Sequence, residues 1–557
     1  MPDYRTLACR EYEELVFTRR AQPIDNPLWA AKHIIDWDDQ PSRFKIYKDV
    51  TCIPLSHTVP GELLLSGSKR EALPSGGDAE EIGFDQLSTI LLLSNGVLRR
   101  KLGINWNLDH LQRTKHPKSV YARPAASGGG LYPFELYFIT GPCRHLFAGV
   151  YHYDAAHHAL DRLASGDKTN QVRVAAFDHP AVQGASQFIL ISINFWKNYF
   201  KYLNFCYHLV TQDVGVELGA IRLAANAFGV EARIILWFKD EVLNSLLGLH
   251  TNEESVFAVI ALNSGPDRGG ADIENPESLP RRDAIEKLRE IDYQVKKESH
   301  QRSRRVFALP FLEQIHLSAL IESEPRPDGA KATATRWRQQ VDSGERIRLP
   351  GSEHALAGKN MIEVSLSRTS SCGRMTNYPA FTLQQIAAIL RFATEGQHYD
   401  CDLKGDRKGL HFTRLMLFIN HVQDLIPGVY SFDPAVDCLS KIREGDFSYH
   451  LQQHYFLENY NCEQACAILA IVSDLDRLFE VFGNRALRVY NAEVGLVTHY
   501  VYMACAAMSI GCGAIAGFDN LAVRSLLSLE GSGQYPLLLV LLGNQRKDFG
   551  SFDCKLI

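Results

Sequence analysis

The chain repeats itself, and this limits its fold more than any other feature of the sequence. GVYHYDAAHHALDRL begins at Gly149 and GVYSFDPAVDCLSKI begins at Gly428. DVGVELGAIRLAANAFG from Asp213 corresponds to EVGLVTHYVYMACAAMS from Glu493, and SLLGLH at Ser245 to SLLSLE at Ser525, with the numbering shift between the copies constant to within one position. Each copy then enters an apolar, β-rich run, VFAVIALN or YPLLLVLLGN. Self-similarity at a fixed offset marks a diverged tandem duplication. A chain of 557 residues also exceeds what one hydrophobic core organises, so two large domains are expected.

Each copy reads as helix, strand, turn, strand, long apolar helix, strand, short helix and strand, an α+β layer arrangement. A helix apolar all round, such as VTHYVYMACAAMSIG, belongs in the middle of the fold. The boundaries expected are an N-terminal segment over 1–79, a first unit over 80–265, a connector over 266–354 and a second unit over 355–557. The N-terminal segment, with HIIDWDDQPSRFKIY, is expected to pack on the first unit or to serve substrate recognition. The connector holds the charged stretch RRDAIEKLREIDYQVKKESHQRSRR and then ALPFLEQIHLSALIESEPRPDG, a polar linker with some helix of its own. The copies differ in one length. From Gly96 to Gly149 is 53 positions and from Gly396 to Gly428 is 32, so the second copy lacks 21 residues there. The first copy also carries ARPAASGGGLYPFELYF, in which small residues suit either close approach of backbone amides to a ligand or a plain turn before a strand.

Net charge is −5 and the pI near 6.5, which offers no cationic field for nucleic acid or an anionic membrane surface. No apolar run reaches the roughly 20 residues that span a bilayer, and the start, MPDYRTLACREYEE, is too charged for a secretory signal. A cytoplasmic location is therefore expected. The twelve cysteines are scattered, with no CxxC pair, and Cys462 and Cys466 are the closest. Reduced, mostly buried thiols and no metal site are expected.

Several segments, in order, carry a family resemblance. They are DWDDQPSRFKIY, RPAASGGGLYPFELYF from Arg123, GVYHYD, and the run from Lys201-Tyr202 through VTQDVGVELGAIRLAANAFG. In the second copy they are SRTSSCGR at Ser367, FTLQQIAAIL, GVYSFD and RALRVYNAEVGLVTHYVYMACAAMSIGCGAIAGFDN from Arg485. This order resembles the SagB/ThcOx-type dehydrogenases of the FMN nitroreductase superfamily, which includes azoline oxidases. The resemblance implies two nitroreductase-like α+β domains, each a mainly antiparallel sheet with packed helices, fused as an intramolecular pseudo-dimer. In that superfamily FMN lies between two subunits, so each site needs residues from both.

The resemblance then implies that the two copies have divided the work. Arg368, Ser370 and Arg374 resemble a phosphate-binding R-x-S-x-R segment, although Cys372 stands where a second arginine is common and the register at 368–374 is open. Ala516, Gly517 and Phe518 in GAIAGFDN resemble a turn at the flavin N5 edge, and Arg546 and Lys547 a basic end to the phosphate clamp. The first copy has EARIILWF and SGSKREALPSGGDAEE at those places. It supplies instead the loop Arg123, Ala125, Ala126, Ser127 and Gly128, which resembles the platform beneath the ring; the second copy reads DRKGLHF there. Lys201 and Tyr202 resemble the Lys-Tyr pair of azoline oxidases, against Val481-Phe482 in the second copy. A phenolate assisted by an ammonium suits removal of a substrate Cα proton; a surface lysine beside a packing tyrosine is the plainer reading. Arg485 and Arg488 are read as reaching the site or as helix-surface charges, and His208 and His499 as packed histidines.

The function implied is oxidation of a peptide-derived or heterocyclic substrate, azoline to azole being the type reaction, with one composite FMN site per chain and oxygen as electron acceptor. An NAD(P)H-dependent nitroreductase or quinone reductase, and a catalytically silent peptide-binding partner in a biosynthetic complex, are the alternatives. The substrate is a small molecule or peptide, and a partner enzyme remains open.

Overall fold

The computed structural model describes residues 7–19, 28, 33–66, 81–103, 119–263, 295, 297–327, 345–404, 410–457, 459–546 and 551–557. The helices that matter for the site are α1 (Ala8–Thr18), α2 (Phe84–Asn95), α3 (Trp196–Tyr202), α4 (Cys206–Ala227), α5 (Asp240–Leu247), α6 (Pro310–Ser318), α7 (Leu383–Gln397) and α8 (Ala486–Ala507). The first unit has strands β1 (Thr51–Pro54), β2 (Arg99–Gly103), β3 (Ser119–Ala122), β4 (Phe134–Thr140), β5 (Gly149–Asp154), β6 (Ala159–Ser165), β7 (Gln187–Asn194), β8 (Ala232–Ile235) and β9 (Glu254–Leu262). The later strands are β10 (Arg346–Arg348), β11 (Met375–Thr376), β12 (Arg414–Ile419), β13 (Gly428–Asp433), β14 (Cys438–Glu444), β15 (Ala467–Asp474), β16 (Ile510–Ile515), β17 (Gln534–Gln545) and β18 (Ser551–Lys555).

Two antiparallel sheets result, β1-β6-β5-β4-β7-β9-β8 and β10-β14-β13-β12-β15-β17-β11, the second with β16 also on β17. They follow one plan, as the repeat requires. One central strand of each sheet escaped the sequence pattern: β7, QFILISIN, and β15, AILAIVSD, are buried along nearly their whole length. A strand covered on both faces shows no alternation, so periodicity cannot distinguish it from a piece of buried helix. A third sheet, β18-β2-β3, joins the end of the second unit to the first.

The units meet through α4 and α8. Every residue of α8 except Ala506 is buried, and α4 is covered almost as completely, so neither helix offers the polar face of a surface helix. Their backbones touch at two glycines in equivalent copies, Gly215 and Gly495. A Cβ on Gly215 would stand 2.2 Å from the Ala492 carbonyl oxygen, and one on Gly495 2.1 Å from that of Gln212. Beside the crossing, Gln212 Nε2 donates to Asn491 Oδ1 (3.2 Å) and Asn491 Nδ2 to Thr211 Oγ1 (3.0 Å).

The N-terminal segment divides between the units. β1 pairs with β6 of the first unit. The buried face of α1 bridges both units: Arg10 pairs with Asp476 (2.8 Å) and the Cys9 amide donates to Asn484 Oδ1 (2.9 Å) in the second, while Tyr12 Oη donates to the Asn204 carbonyl (2.9 Å) and Glu13 meets His208 (2.9 Å) in the first. The connector is likewise not merely solvated, because α6 buries Leu312, Ile315 and His316. Residues 281–294 of its charged stretch, and Lys547, lie outside the described residues.

A methyl group at the crossing has nowhere to go without parting the helices. Gly495→Ala is expected to cost about 1–3 kcal/mol, read as a lower midpoint in denaturant or thermal unfolding, with α4 and α8 no longer packed at contact distance.

Candidate functional site

Beside the α4–α8 crossing lies a pocket of about 550 Å³ with walls from both units, within the size range of cofactor and ligand sites. Gln212, Asp213 and Val216 of α4 line it opposite Gly495, Thr498 and Tyr502 of α8. Around them the first unit contributes Ala126 to Gly130 with Lys201 and Tyr202, and the second contributes Arg368, Ser370 and the strand end Ala514 to Gly517.

Asp213 shapes the first unit's wall. Its carboxylate accepts from Ser127 Oγ (2.7 Å) and from the Gly128 amide (2.9 Å), while Ser127 Oγ accepts from the Tyr132 amide (2.9 Å). The turn that follows is left-handed at Gly129, φ 66°, and a Cβ there would lie 2.5 Å from Tyr202 Oη and 2.8 Å from Lys201 Nζ. Only glycine lets the turn pass so close to that pair. The glycine run is therefore more than a flexible turn.

Electrostatics sort the titratable groups. Burial pushes the Asp213 carboxyl up to about 7, against the pull of the Ser127 and Gly128 hydrogen bonds. Burial, joined by the Asp213 charge, pushes the Tyr202 phenol well up, and burial pulls the Lys201 ammonium down. Tyr202 therefore rests as a phenol, which departs from the expected phenolate. Lys201 Nζ lies 4.6 Å from the Tyr202 ring centroid and 5.9 Å from that of Trp37.

Across the pocket, Arg368 is buried at 5% exposure. Its Nη2 donates to the Arg123 carbonyl (2.9 Å), whereas Nε and Nη1 are buried with no hydrogen-bond partner. Ser370 Oγ is 3.1 Å from Tyr502 Oη, which accepts from the Ala514 amide (2.9 Å). Arg19, at the C-terminal end of α1, reaches in from outside to hold the carbonyls of Ala516 (2.7 Å) and Phe518 (2.9 Å).

The pocket thus gathers Ala126, Ser127, Gly128, Lys201, Tyr202, Arg368, Ser370, Ala516 and Gly517. Other expected site residues lie behind or beside it. Arg123 is buried against Asn95 and the rings of Tyr132 and Phe44, and it serves the pocket through the carbonyl that holds Arg368. Ala125 is fully buried, and Phe518 packs into the second unit's core. Arg374 and Arg546 are exposed and joined through their backbones (3.0 Å), outside the lining. Arg485 and Arg488 are neither surface charges nor pocket residues. Both are buried on Asp240 at the start of α5, at 2.9 and 2.8 Å. His208 is held by Glu13 (2.9 Å), and burial pulls buried His499 down to about 3. Sequence reasoning passed over Asp213 and Arg99, which also lines the pocket. The signals were an acid in an apolar core helix and the RRK run inside the stretch that the second copy lacks.

The pseudo-symmetric place on the other side of α4 and α8 is filled by the chain. Leu236 and Trp237 are the first-copy equivalents of Ala516 and Gly517, and their amides donate to the Asp402 carboxylate (2.9 and 3.1 Å). The Ile234 amide donates to the Asp400 carbonyl (2.9 Å), and the Asp402 amide to the Ile234 carbonyl (3.1 Å), which zips this segment onto β8. Lys404 follows, buried on Glu493 (2.7 Å). On the open side, Ala122, the first-copy counterpart of Cys401 by numbering, is instead held in the β18-β2-β3 sheet, and Ala122 and Ala514 both line the pocket.

The nitroreductase family model matches residues 86–263 and 420–544, together more than half of the chain. The chain belongs to the nitroreductase family, a family of oxidoreductases. A nitroreductase-fold structure from Anabaena variabilis is similar over 97% of this chain and 100% of its own, with a TM-score of 0.71 and 22% identity. It shares the doubled architecture in one polypeptide. A Methanocaldococcus jannaschii protein described as a nitroreductase is 25% identical over 167 residues, 29% of this chain and 81% of that one. Among the described residues no helix is long and apolar enough to cross a membrane, and no cluster of His, Cys, Asp and Glu could hold a metal ion.

The Asp213 carboxyl gives this member of the family a pH signature. Its folded pKa lies above the unfolded value of about 3.9, so between about 4 and 7 the folded state holds a proton that the unfolded chain has lost. Stability contributed through this group declines as pH rises through that window and is level above it. Asp213→Asn is expected to flatten that part of the profile in urea unfolding between pH 4.5 and 8. Glu217, pushed up to about 8 by burial, titrates in both proteins and cancels in the difference.

Proposed function

We propose that the pocket holds FMN and that the chain is an FMN-dependent dehydrogenase of the SagB/ThcOx type, with units over 80–265 and 355–557 sharing one cofactor. Its substrate is a peptide-derived or heterocyclic compound, and azoline-to-azole oxidation is the type reaction. The observation that carries this reading is the buried guanidinium of Arg368, whose Nε and Nη1 lack partners at the wall of a pocket built by both units. A phosphate monoester supplies the acceptors such nitrogens need. Ser370 stands beside it, and the small residues Ala126 to Gly128 form a wall on which a flat ring can lie.

Bound FMN supplies a two-electron acceptor. The protein's part is to hold the substrate and manage its proton. Asp213 fixes the turn that backs Lys201 and Tyr202. Burial favours the neutral form of each of that pair, so Lys201 is the member more readily stripped to a base. Tyr202 then acts as a hydrogen-bond donor that orients the substrate. This reverses the roles first expected of them.

A second reading, reduction of nitro compounds or quinones at the expense of NAD(P)H, is favoured by the name of the Methanocaldococcus relative. The two readings part on one observation. Rapid bleaching of the flavin by NADPH supports the reductase, and inertness to NADPH with turnover of a thiazoline peptide supports the dehydrogenase.

Flavin released on denaturation should amount to one FMN per chain; two per chain would end the shared-site reading. Arg368→Ala is expected to weaken FMN retention on the order of 10- to 100-fold, the worth of one or two charge-assisted hydrogen bonds. Lys201→Met should keep the flavin and slow thiazoline oxidation on the order of 100-fold or more, with Tyr202→Phe milder. A Lys201→Met enzyme at full rate would remove Lys201 from the chemistry.

A further inference from the structure

Arg368 is not the only arginine of the pocket wall with a buried, unpartnered guanidinium nitrogen. Arg99 of β2 lines the same wall, and its Nε is buried without a partner. Its other nitrogens are tied down: Nη1 donates to Asp553 Oδ2 (2.9 Å) and Nη2 to the Arg368 carbonyl (3.0 Å). Arg368 is pinned in the same manner by the Arg123 carbonyl. Each side chain is thus fixed at its far end, and three nitrogens remain unsatisfied, Nε of Arg99 with Nε and Nη1 of Arg368.

This arrangement is costly without a ligand. Buried donors without acceptors lose their hydration and regain nothing. The like charges also repel. Burial, and with it the Arg368 charge, pull the Arg99 guanidinium down, against the Asp553 carboxylate and the Tyr132 phenol. A doubly charged oxyanion relieves both penalties, because it offers several acceptor oxygens and balances two cations. Arg374 and Arg546 stand outside the lining.

We infer that Arg99 is the second guanidinium of a phosphate-monoester subsite, that Asp553 is its positioning residue, and that the anion is therefore gripped by one arginine from each unit. Asp553 reaches Arg99 because β18, which follows β17 of the second unit, pairs with β2 of the first, Lys555 opposite Arg99. The identity of the phosphate as that of FMN rests on the function proposed above. The two-arginine subsite itself does not.

The experiment compares FMN with riboflavin, which lacks the phosphate, on the full chain after its flavin has been removed. In the wild type FMN should bind more tightly than riboflavin by at least 100-fold. Arg99→Gln should lower FMN affinity on the order of 10- to 100-fold and leave riboflavin affinity within twofold, and Asp553→Asn should lower FMN affinity less, again sparing riboflavin. A merely structural role would move both ligands together. Equal losses for FMN and riboflavin in both variants, or no loss of FMN in either, would overturn the inference. If the wild type binds neither flavin, the cofactor reading fails, and inorganic phosphate decides the subsite. Stabilisation of the wild type by phosphate in a thermal shift that Arg99→Gln loses supports it, and an equal shift in both proteins rejects it.

Discussion

Everything distinctive in this protein depends on two helices being allowed to touch. At Gly215 and Gly495 the backbones of α4 and α8 approach so closely that a methyl on either would meet a carbonyl oxygen of the other. That contact sets the separation of the two units and so the width of the space beside it. Because the glycines occupy equivalent places in the two copies, the crossing is nearly symmetric, and it creates two related recesses, one on each side.

The recesses have had different histories, and their difference is local. On one side the chain between the first helix of the unit and its central strand is 21 residues longer. Those residues include β2, which pairs with β3 and so holds Ala122 in the β18-β2-β3 sheet, and Ala122 and Ala514 both line the pocket. On the other side the shorter segment zips onto Ile234, and the Asp402 carboxylate takes the amides of Leu236 and Trp237. Lys404 then neutralises Glu493. Asp213, at the position equivalent to Glu493, has hydroxyl and amide partners, and burial carries it toward neutrality. One helix position thus holds a carboxylate in two electrostatic settings, according to whether the recess beside it is filled by the chain.

How much of this was legible in the sequence follows from what each signal measures. Repetition is a property of the order of residues, so the doubled α+β plan and the pairing of Asp213 with Glu493 could be read directly. The small-residue loop, the Lys-Tyr pair, Arg368 and the 516–517 turn were picked out through the family resemblance of their segments, and the fold brings them to the wall of one pocket. The central strands β7 and β15 were not, since burial on both faces erases alternation. Arg485 and Arg488 were misplaced because their partner, Asp240, is remote in the sequence and nothing local announces it. Arg99 was missed for the same reason: its meaning comes from Arg368 and Asp553, which only the fold brings near.

The Asp240 cluster bears on how the chain is made. Asp240 is fully buried and holds two arginines of the second unit, and the nearer of these, Arg485, is 245 residues later in synthesis. At roughly 5–20 residues per second, a ribosome needs roughly 12–50 s to cover that distance. For that interval the first unit has emerged with a carboxylate whose cations do not yet exist and with the α4 surface that α8 will cover. A chain that ends before residue 485 therefore leaves the Asp240 carboxylate without its two arginines and the α4 surface without its cover.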